Sequence, residues 1–255
     1  MAQYSFNDKR ILAKHVKPPI TIPNDLPKPD FMPSKLVRIS DMKVVDGSQV
    51  NEGYCSLSYS WNQSGSIIYN PFRRKYARFD KGKHKIIRLD GNYEYVKFEG
   101  IIQHICQQFN IKYIWCDQLC INQHDKEEKH HEIRNMHQIY ENAYCTVAFV
   151  PDFTHDDYLH PRKQQYFKRL WTLEEIIKSK KLLFVGRNEH QYGDSTLFEL
   201  NLLTKSPSGL NASQILYHAH QRTSTKEHDR VFALIQLYPE FIDKVKIDYD
   251  QPFEN

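Results

Sequence analysis

The chain has 255 residues, which is enough for one large domain or two small ones with a substantial core. Hydrophobic residues make up 40% and charged residues 26%, an ordinary balance for a soluble globular protein. The net charge of +4 is too small to indicate a nucleic-acid partner by itself. No apolar run approaches the roughly 18 residues of a membrane span and no signal-peptide core follows Met1, so we expect no membrane partner.

The cysteines indicate a reducing compartment. Their number, five, is odd, and no two of them form a CxxC pair. Several lie within apolar stretches, where a thiol packs as a small hydrophobic side chain. We therefore expect free cysteines and a cytoplasmic chain.

The first part of the chain is rich in proline. Residues 1–35 hold six of the twelve prolines, which predicts an extended arm, with the folded domain spanning 36–255. Residues 62–84 are polar and basic, and 85–98 predict a hairpin with Asp90-Gly91 at its turn. This basic insert is either a solvated loop or a surface for RNA or phosphates. Only one charge run supports the second interpretation, so we do not expect nucleic acid as a partner.

Four short apolar runs predict buried strands, at 54–61, 112–117, 144–150 and 181–186. Helical spacing separates them, at 98–109, after the capping pair Asp125 and Glu128, and at "RLWTLEE" (169–175). The second of these helices carries Ile133, Met136 and Tyr140 on one face. Because the strands are short and apolar and alternate with helices, they predict an α/β fold with a parallel sheet flanked by helices. Residues 195–255 predict a mainly helical C-terminal part.

Ligands of such sheets bind at the carboxyl ends of the strands. The segments that matter most are therefore "SYSWN", "CDQLCINQ" and the start of the "RLWTLEE" helix, and each has one of the three tryptophans in it or beside it (Trp61, Trp115 and Trp171).

The "RLWTLEE" helix has an apolar stripe that includes Leu173. Trp171 and Glu175 are four residues apart and share a different face, which we predict to point largely away from the core. Glu174 is predicted to lie towards the core side within reach of Lys178, so its replacement by Gln should be nearly silent.

Several motifs occur together in a characteristic order. "SLSYSWN", "YIWCDQLCINQ", "MHQIYENAYCTVAFV" and "RLWTLEE" are followed by "RTSTKEHDRVFALIQL" and "IDYDQPF". This set resembles the fungal heterokaryon-incompatibility (HET) domain over roughly residues 32–253. Two positions depart from the family pattern: Asn62 replaces the usual Gly and Glu174 replaces the usual Gln, so the motif glutamate maps onto Glu175.

The resemblance implies an intracellular domain that triggers cell death after non-self recognition. HET domains are in turn remotely similar to Toll/interleukin-1-receptor (TIR) domains, which implies a flavodoxin-type sheet. Many TIR domains hydrolyse NAD with one glutamate on the helix after the third strand, the position of Glu175 here. By this analogy NAD is the substrate, no cofactor is needed, and the domain acts as a homo-oligomer, with regulatory domains or protein partners outside this chain.

The chemistry of NAD hydrolysis is compatible with a single carboxylate. Nicotinamide is already cationic in NAD and leaves as a neutral base, so no acid must protonate it, unlike in most glycosidases. Glu175 is the candidate catalytic residue. The candidate substrate-binding residues are aromatic rings that can stack, groups that bind ribose, and one cation for phosphate: Ser58, Tyr59, Trp61, Asp117, Arg169 and Trp171.

Each candidate also has a purely structural interpretation. Glu175 is a solvated helix residue in the first alternative, Trp171 caps the core, and Asp117 starts a helix. Cys120 near a histidine suggests a thiol nucleophile, but a buried cysteine is favoured. No histidine spacing fits a standard zinc site, so we expect no metal. A catalytically inactive module that works by self-association is the alternative function.

Overall fold

A computed structural model describes residues 22–60, 67–70, 75–78, 83–87, 93–122, 124–150, 165–185, 190–194, 211–224, 226–242 and 244–249. The start of the predicted arm, Trp61 and the predicted turn at Asp90-Gly91 lie outside these ranges. In the described part of the chain, no helix has both the length and the apolar character needed to cross a bilayer.

The strands within these ranges are β1 Lys35–Arg38, β2 Lys43–Asp46, β3 Cys55–Tyr59, β4 Ile67–Asn70, β5 Lys75–Arg78, β6 Lys83–Ile87, β7 Tyr93–Lys97, β8 Tyr113–Trp115, β9 Thr146–Phe149, β10 Lys181–Val185 and β11 His190–Asp194. The helices are α1 Phe98–Gln108, α2 Asp117–Cys120, α3 Lys126–Arg134, α4 Met136–Asn142, α5 Gln165–Lys168, α6 Trp171–Lys178, α7 Ala212–His220, α8 Asp229–Ile235 and α9 Pro239–Ile242, with a 3-10 turn at Gly47–Gln49.

The predicted α/β fold is confirmed. One seven-stranded sheet has the order β11-β10-β9-β3-β8-β1-β2, and its four central strands, β10, β9, β3 and β8, are parallel. These are the four apolar runs of the sequence. Numbered along the chain they lie in the order 2-1-3-4, which is the order of flavodoxin-type doubly wound sheets.

Three strands outside the parallel centre of this sheet were not predicted. β1 and β2 form a hairpin that extends the sheet beyond β8, and β11 pairs antiparallel with β10 at the other edge. β2 is largely solvent-exposed, as its burial along KVVD shows. Short, charged edge strands carry little of the apolar pattern that marks a central strand, so the sequence offered no clear signal for them.

The helix predicted to run from Asp125 through Tyr140 is two helices, α3 and α4. Asp125 caps α3 as predicted, its side chain accepting a hydrogen bond from the Glu128 amide. The break is at Asn135, which ends one helix and begins the next. Its side-chain amide donates to the carbonyl of His131 at 3.0 Å, a local hydrogen bond of the kind that competes with regular helix geometry.

The insert contains two antiparallel strand pairs. β6 pairs with β7 in the predicted hairpin, and β4 pairs with β5 within the segment expected to be a loop. In the second pair, positions 69 and 76 lie opposite each other, and neither "IIYN" nor "KYAR" has the polar–apolar alternation that would have marked a strand. The predicted helical C-terminal part is represented by α7, α8 and α9.

The two faces of β3 have different chemistry. Ser56 and Ser58 lie on the face against α6, where they hydrogen-bond across to neighbouring side chains. Cys55 lies on the opposite face, near Cys106 of α1. All of β3 is buried, including the two serines that alternate with apolar residues along it.

The segment before β1 packs on the core although it has no strand or helix. Ile22 is fully buried and Leu26 is 7% exposed. Two glycines allow this close approach: a Cβ at Gly47 would lie 1.8 Å from the Pro33 carbonyl oxygen, and one at Gly53 would lie 2.5 Å from that of Pro27. Residues 22–35 of the predicted arm are therefore part of the folded unit.

We predict that Gly47→Ala lowers the free energy of unfolding by roughly 2–4 kcal/mol. The new methyl group would overlap the Pro33 carbonyl oxygen, and a main-chain atom cannot move away as easily as the end of a side chain. Gly100→Ala is the control, since a Cβ added at this position on α1 would have no neighbouring atom within 4 Å. That change should be neutral or stabilising by about 0.5–1 kcal/mol. Urea unfolding of both variants measures the difference, and equal stability of the two would contradict the close approach at Gly47.

Candidate active site

The sheet order creates a crevice between β3 and β9. The chain leaves β3 towards β8 on one side and leaves β9 towards β10 on the other, so the carboxyl ends of β3 and β9 form the topological switch point. Ser58 and Tyr59 end β3 at this place, and α6 follows β9. Helix α6 packs between the sheet on one side and α4 and α8 on others.

Glu175 reaches from the second turn of α6 back to β3. Its Oε2 is hydrogen-bonded to the Ser58 hydroxyl, and that hydroxyl also meets the hydroxyl of Tyr166. A hydroxyl has one proton, so when Ser58 donates to the ionised carboxylate its oxygen accepts from Tyr166. The three side chains thus form a chain of hydrogen bonds that fixes the orientation of Glu175.

The environment of Glu175 favours the neutral carboxylic acid. The residue is only 5% exposed, and burial raises its pKa to about 8 because a carboxylate loses its hydration there. The hydrogen bond from Ser58 opposes this rise in pKa, whereas the negative charge of Asp117 adds to it. Arg169 and Arg222 lower the pKa again through their positive charges. Ligand-free Glu175 is therefore mostly protonated at neutral pH.

The exposure predicted for this face of α6 was wrong. Glu175 is enclosed and the solvated-glutamate alternative does not apply, because α6 is covered by the sheet and by helices on several sides. Glu174 is also buried, at 1% exposed, and neither of its carboxyl oxygens has a hydrogen-bond partner among the described residues. Burial, and then the charge of Glu175, raises the pKa of Glu174 well above its usual range, so Glu174→Gln is not a silent control.

Two further predicted residues flank the carboxyl group. Arg169 Nη1 donates to the Tyr59 carbonyl oxygen at 3.2 Å, which ties the start of α6 to the end of β3. Trp171 is partly buried and packs against two hydrophobic clusters, a contact that fits the core-capping interpretation of this side chain. The structure therefore brings Ser58, Tyr59, Arg169 and Glu175 together.

Asp117 and the other two tryptophans are placed differently. Asp117 is the first residue of α2, and its side chain accepts a hydrogen bond from the Gln118 amide at 2.7 Å, as expected for a helix start. Its charge nevertheless acts on Glu175. Trp115 is fully buried and makes an edge contact with Tyr140 at 5.6 Å between ring centroids. Trp61 lies outside the described residues, so its predicted role stays a prediction.

Two residues at this site were not predicted. Tyr166, on the short helix α5, is fully buried, and nothing in "QYFK" marks it. Arg222 is 8% exposed, and its Nη1 donates to the Arg169 carbonyl and to the Thr172 hydroxyl, each at 2.9 Å. Its signal was its place at the start of "RTSTKEHDRVFALIQL", a motif that contributes to the family resemblance.

The thiol alternative is not supported. All five cysteines are free and buried. Burial raises the pKa of Cys120 to about 12, so its thiolate, the nucleophilic form, is scarce at neutral pH.

These features define a class: a doubly wound α/β domain with an enclosed carboxyl–hydroxyl cluster at its switch point. The family pattern described as "Heterokaryon incompatibility protein (HET)" matches residues 54–164. The vegetative incompatibility protein HET-E-1 of Podospora anserina is 24% identical over an alignment of 147 residues, and the match covers 50% of this chain and 11% of that protein. No solved structure matches the chain. Residues 54–164 are therefore similar to the heterokaryon incompatibility family.

The family match covers only some of the residues of the candidate site. Ser58, Tyr59 and Asp117 lie inside the matched residues 54–164, whereas Arg169 and Glu175 lie beyond them. The chain also covers only about a tenth of the length of this relative, so the activity of the whole relative does not transfer by length alone.

We predict that Glu175→Gln changes how stability depends on pH. A carboxyl group whose pKa rises from 4.5 to about 8 on folding binds more protons when folded, so stability falls as the pH rises between these values. The Gln variant removes that loss. The free energy of unfolding of the variant, relative to that of the parent, should therefore increase by more than about 1 kcal/mol between pH 5 and pH 8.

Urea unfolding at several pH values in this range measures the gap between variant and parent. Glu141→Gln is the charge-matched control, because Glu141 is exposed on α4. A gap that stays constant with pH for Glu175→Gln would show that the carboxyl group titrates in the same range folded and unfolded.

Proposed function

We propose that this domain acts in vegetative incompatibility as a cell-death effector that hydrolyses NAD at the nicotinamide–ribose bond. The first half of this proposal is supported by the family match and by the similarity to the vegetative incompatibility protein of Podospora anserina. The second half rests on one observation, the Glu175 carboxyl group held by Ser58 at the switch point of the sheet.

The reaction needs little from the protein besides this carboxylate. The bond between ribose C1′ and the nicotinamide nitrogen breaks, and its electron pair leaves with neutral nicotinamide. Glu175 in its ionised form stabilises the positive charge that develops on the ribose. Water then adds at C1′ and releases a proton, so the products are nicotinamide, ADP-ribose and H⁺.

The raised pKa of Glu175 suits a cationic substrate. Without ligand the group is mostly neutral, which avoids burying an unpaired charge. A positively charged nicotinamide ring nearby lowers the pKa of a carboxyl group and so favours its ionised form. The hydroxyls of Ser58 and Tyr166 hold the carboxylate in one orientation while the charge on the ribose develops.

We expect Glu175→Gln to lower the rate of NAD turnover by about 10²–10³-fold, because the amide keeps the shape but loses the charge. Ser58→Ala should lower it by about tenfold through loss of orientation. Ser56→Ala is the matched control: Ser56 lies two residues away on the same face of β3 and bonds to Thr146 at 2.7 Å instead. Nicotinamide release by purified protein is the measurement, and parent-like turnover by Glu175→Gln would refute the mechanism.

A catalytically inactive module that signals by self-association is the second candidate. Enclosure of Glu175 favours it, since an enzyme must open this group to its substrate. A purely structural buried glutamate would be expected to form a salt bridge. Glu175 forms none within the described residues, which counts against this second candidate. Expression of the parent and of Glu175→Gln in a fungal host separates the two functions: cell death without NAD loss in both strains supports the inactive module.

For the enzyme we also predict activity that rises more than linearly with protein concentration, because the proposed homo-oligomer would assemble as the concentration increases. Light scattering on the same samples should show growth in mass over the same range. Strict proportionality between rate and concentration, with a monomer throughout, would argue against assembly.

A further inference from the structure

A buried arginine beside Glu175 has no acidic partner in the part of the chain that the structure describes. Arg222 is 8% exposed. Its Nη1 donates hydrogen bonds to the main-chain oxygen of Arg169 and to the hydroxyl of Thr172. Among the described residues, no carboxylate lies within ion-pair distance of Arg222 or of Arg169. Both of these side-chain hydrogen bonds go to neutral oxygens. They stabilise the positive charge of Arg222 in part but do not neutralise it.

The charge of Arg222 persists at neutral pH. Burial lowers the pKa of this guanidinium to about 10, which still leaves it protonated near pH 7. The two acidic groups that act on it, Tyr166 and Glu175, both have raised pKa values and are mostly neutral there. Two further acids, Asp117 and Glu174, lie near Glu175, and neither acts on Arg222. An unpaired buried cation is costly, and an anion from solution would remove that cost.

The backbone places a second arginine next to the first. Residues 169 and 223 form a parallel bridge, in which the Thr223 amide donates to the Lys168 carbonyl at 2.7 Å and the Leu170 amide donates to the Thr223 carbonyl at 3.0 Å. This pairing holds the segments that carry Arg169 and Arg222 side by side at the start of α6. The positive end of that helix adds to the local field.

We propose that Arg169 and Arg222 together form an anion site that binds the phosphate groups of a nucleotide beside Glu175. Guanidinium groups match phosphate oxygens in both charge and geometry. The identity of the ligand as a nucleotide rests on the proposed function; the site itself rests on the two arginines. A dinucleotide bound this way has its diphosphate at the arginines and its cationic ring towards the carboxyl group, so the charges of ligand and protein are complementary.

The proposal also assigns a role to the C-terminal helical part. Arg222 follows α7, whereas Ser58 and Glu175 belong to the sheet and to α6. The site is therefore complete only when the segment after α7 is docked on the start of α6.

Titration calorimetry of the full chain with inorganic pyrophosphate at low salt tests the anion site. Arg222→Gln and Arg169→Gln should each weaken pyrophosphate binding by at least tenfold, and Arg222→Lys should weaken it less because it keeps the charge. Arg230→Gln is the control for net charge, since Arg230 is exposed on α8, and it should bind within about twofold of the parent. Parent-like affinity in Arg169→Gln and Arg222→Gln, with a lower melting temperature, would assign the arginines a structural role and overturn the proposal.

The outcome is distinguishable from that of the proposed function. Pyrophosphate binding that depends on both arginines, in a protein that releases no nicotinamide from NAD, leaves the anion site standing and refutes the hydrolase. Turnover of NAD that is unchanged in Arg169→Gln and Arg222→Gln refutes the anion site and leaves the hydrolase standing. If Arg222→Gln does not fold, Arg169→Gln carries the test, because Arg169 is only partly buried.

Discussion

The hydrogen bond between Ser58 and Glu175 is the constraint on which the rest of the site depends. A carboxyl group placed between a sheet and a helix layer must find polar partners, and β3 supplies them on one face through its alternate serines. This explains an unusual feature of the strand, which is fully buried yet has a hydroxyl at every second position. Apolar packing on the other face, around Cys55 and Leu57, allows the strand to stay at the centre of the sheet.

The ionisable groups around this hydrogen bond form few pairs with one another. Two buried glutamates stand next to each other on α6, one with a hydroxyl partner and one with none among the described residues. The arginines nearby share no ion pair with either of them. Such an arrangement contributes nothing favourable to stability, and functional sites are where proteins retain it. The enclosed, partly unpaired groups are therefore the strongest structural argument that this region has a task beyond folding.

Sequence patterns predicted the centre of the fold well and its edges poorly. The four parallel strands are long enough apolar runs to be recognised, and their alternation with helices fixes the class. Edge strands such as β2 are short and charged, and the break at Asn135 depends on one side-chain hydrogen bond, so neither leaves a periodic signal.

For the site, the sequence located Ser58 and Glu175 but misjudged the burial of α6. Helical periodicity describes one helix, whereas burial depends on every layer that packs on it, including the distant segment that contributes Arg222. That contact joins residues 53 positions apart, and no local pattern encodes it. The same limit applies to Tyr166, whose partner lies 108 positions away.

Helix α6 is fastened at both ends. Thr223 pairs with the main chain just before it, and Ser179 just after it bonds to the Thr146 hydroxyl at 2.5 Å, on the strand beside β3. Both attachments keep α6, and with it Glu175, against the sheet. The pairing with Thr223 is the attachment that lies outside the sheet. Loss of that pairing would release the start of α6 while its end stays bound to the strand beside β3.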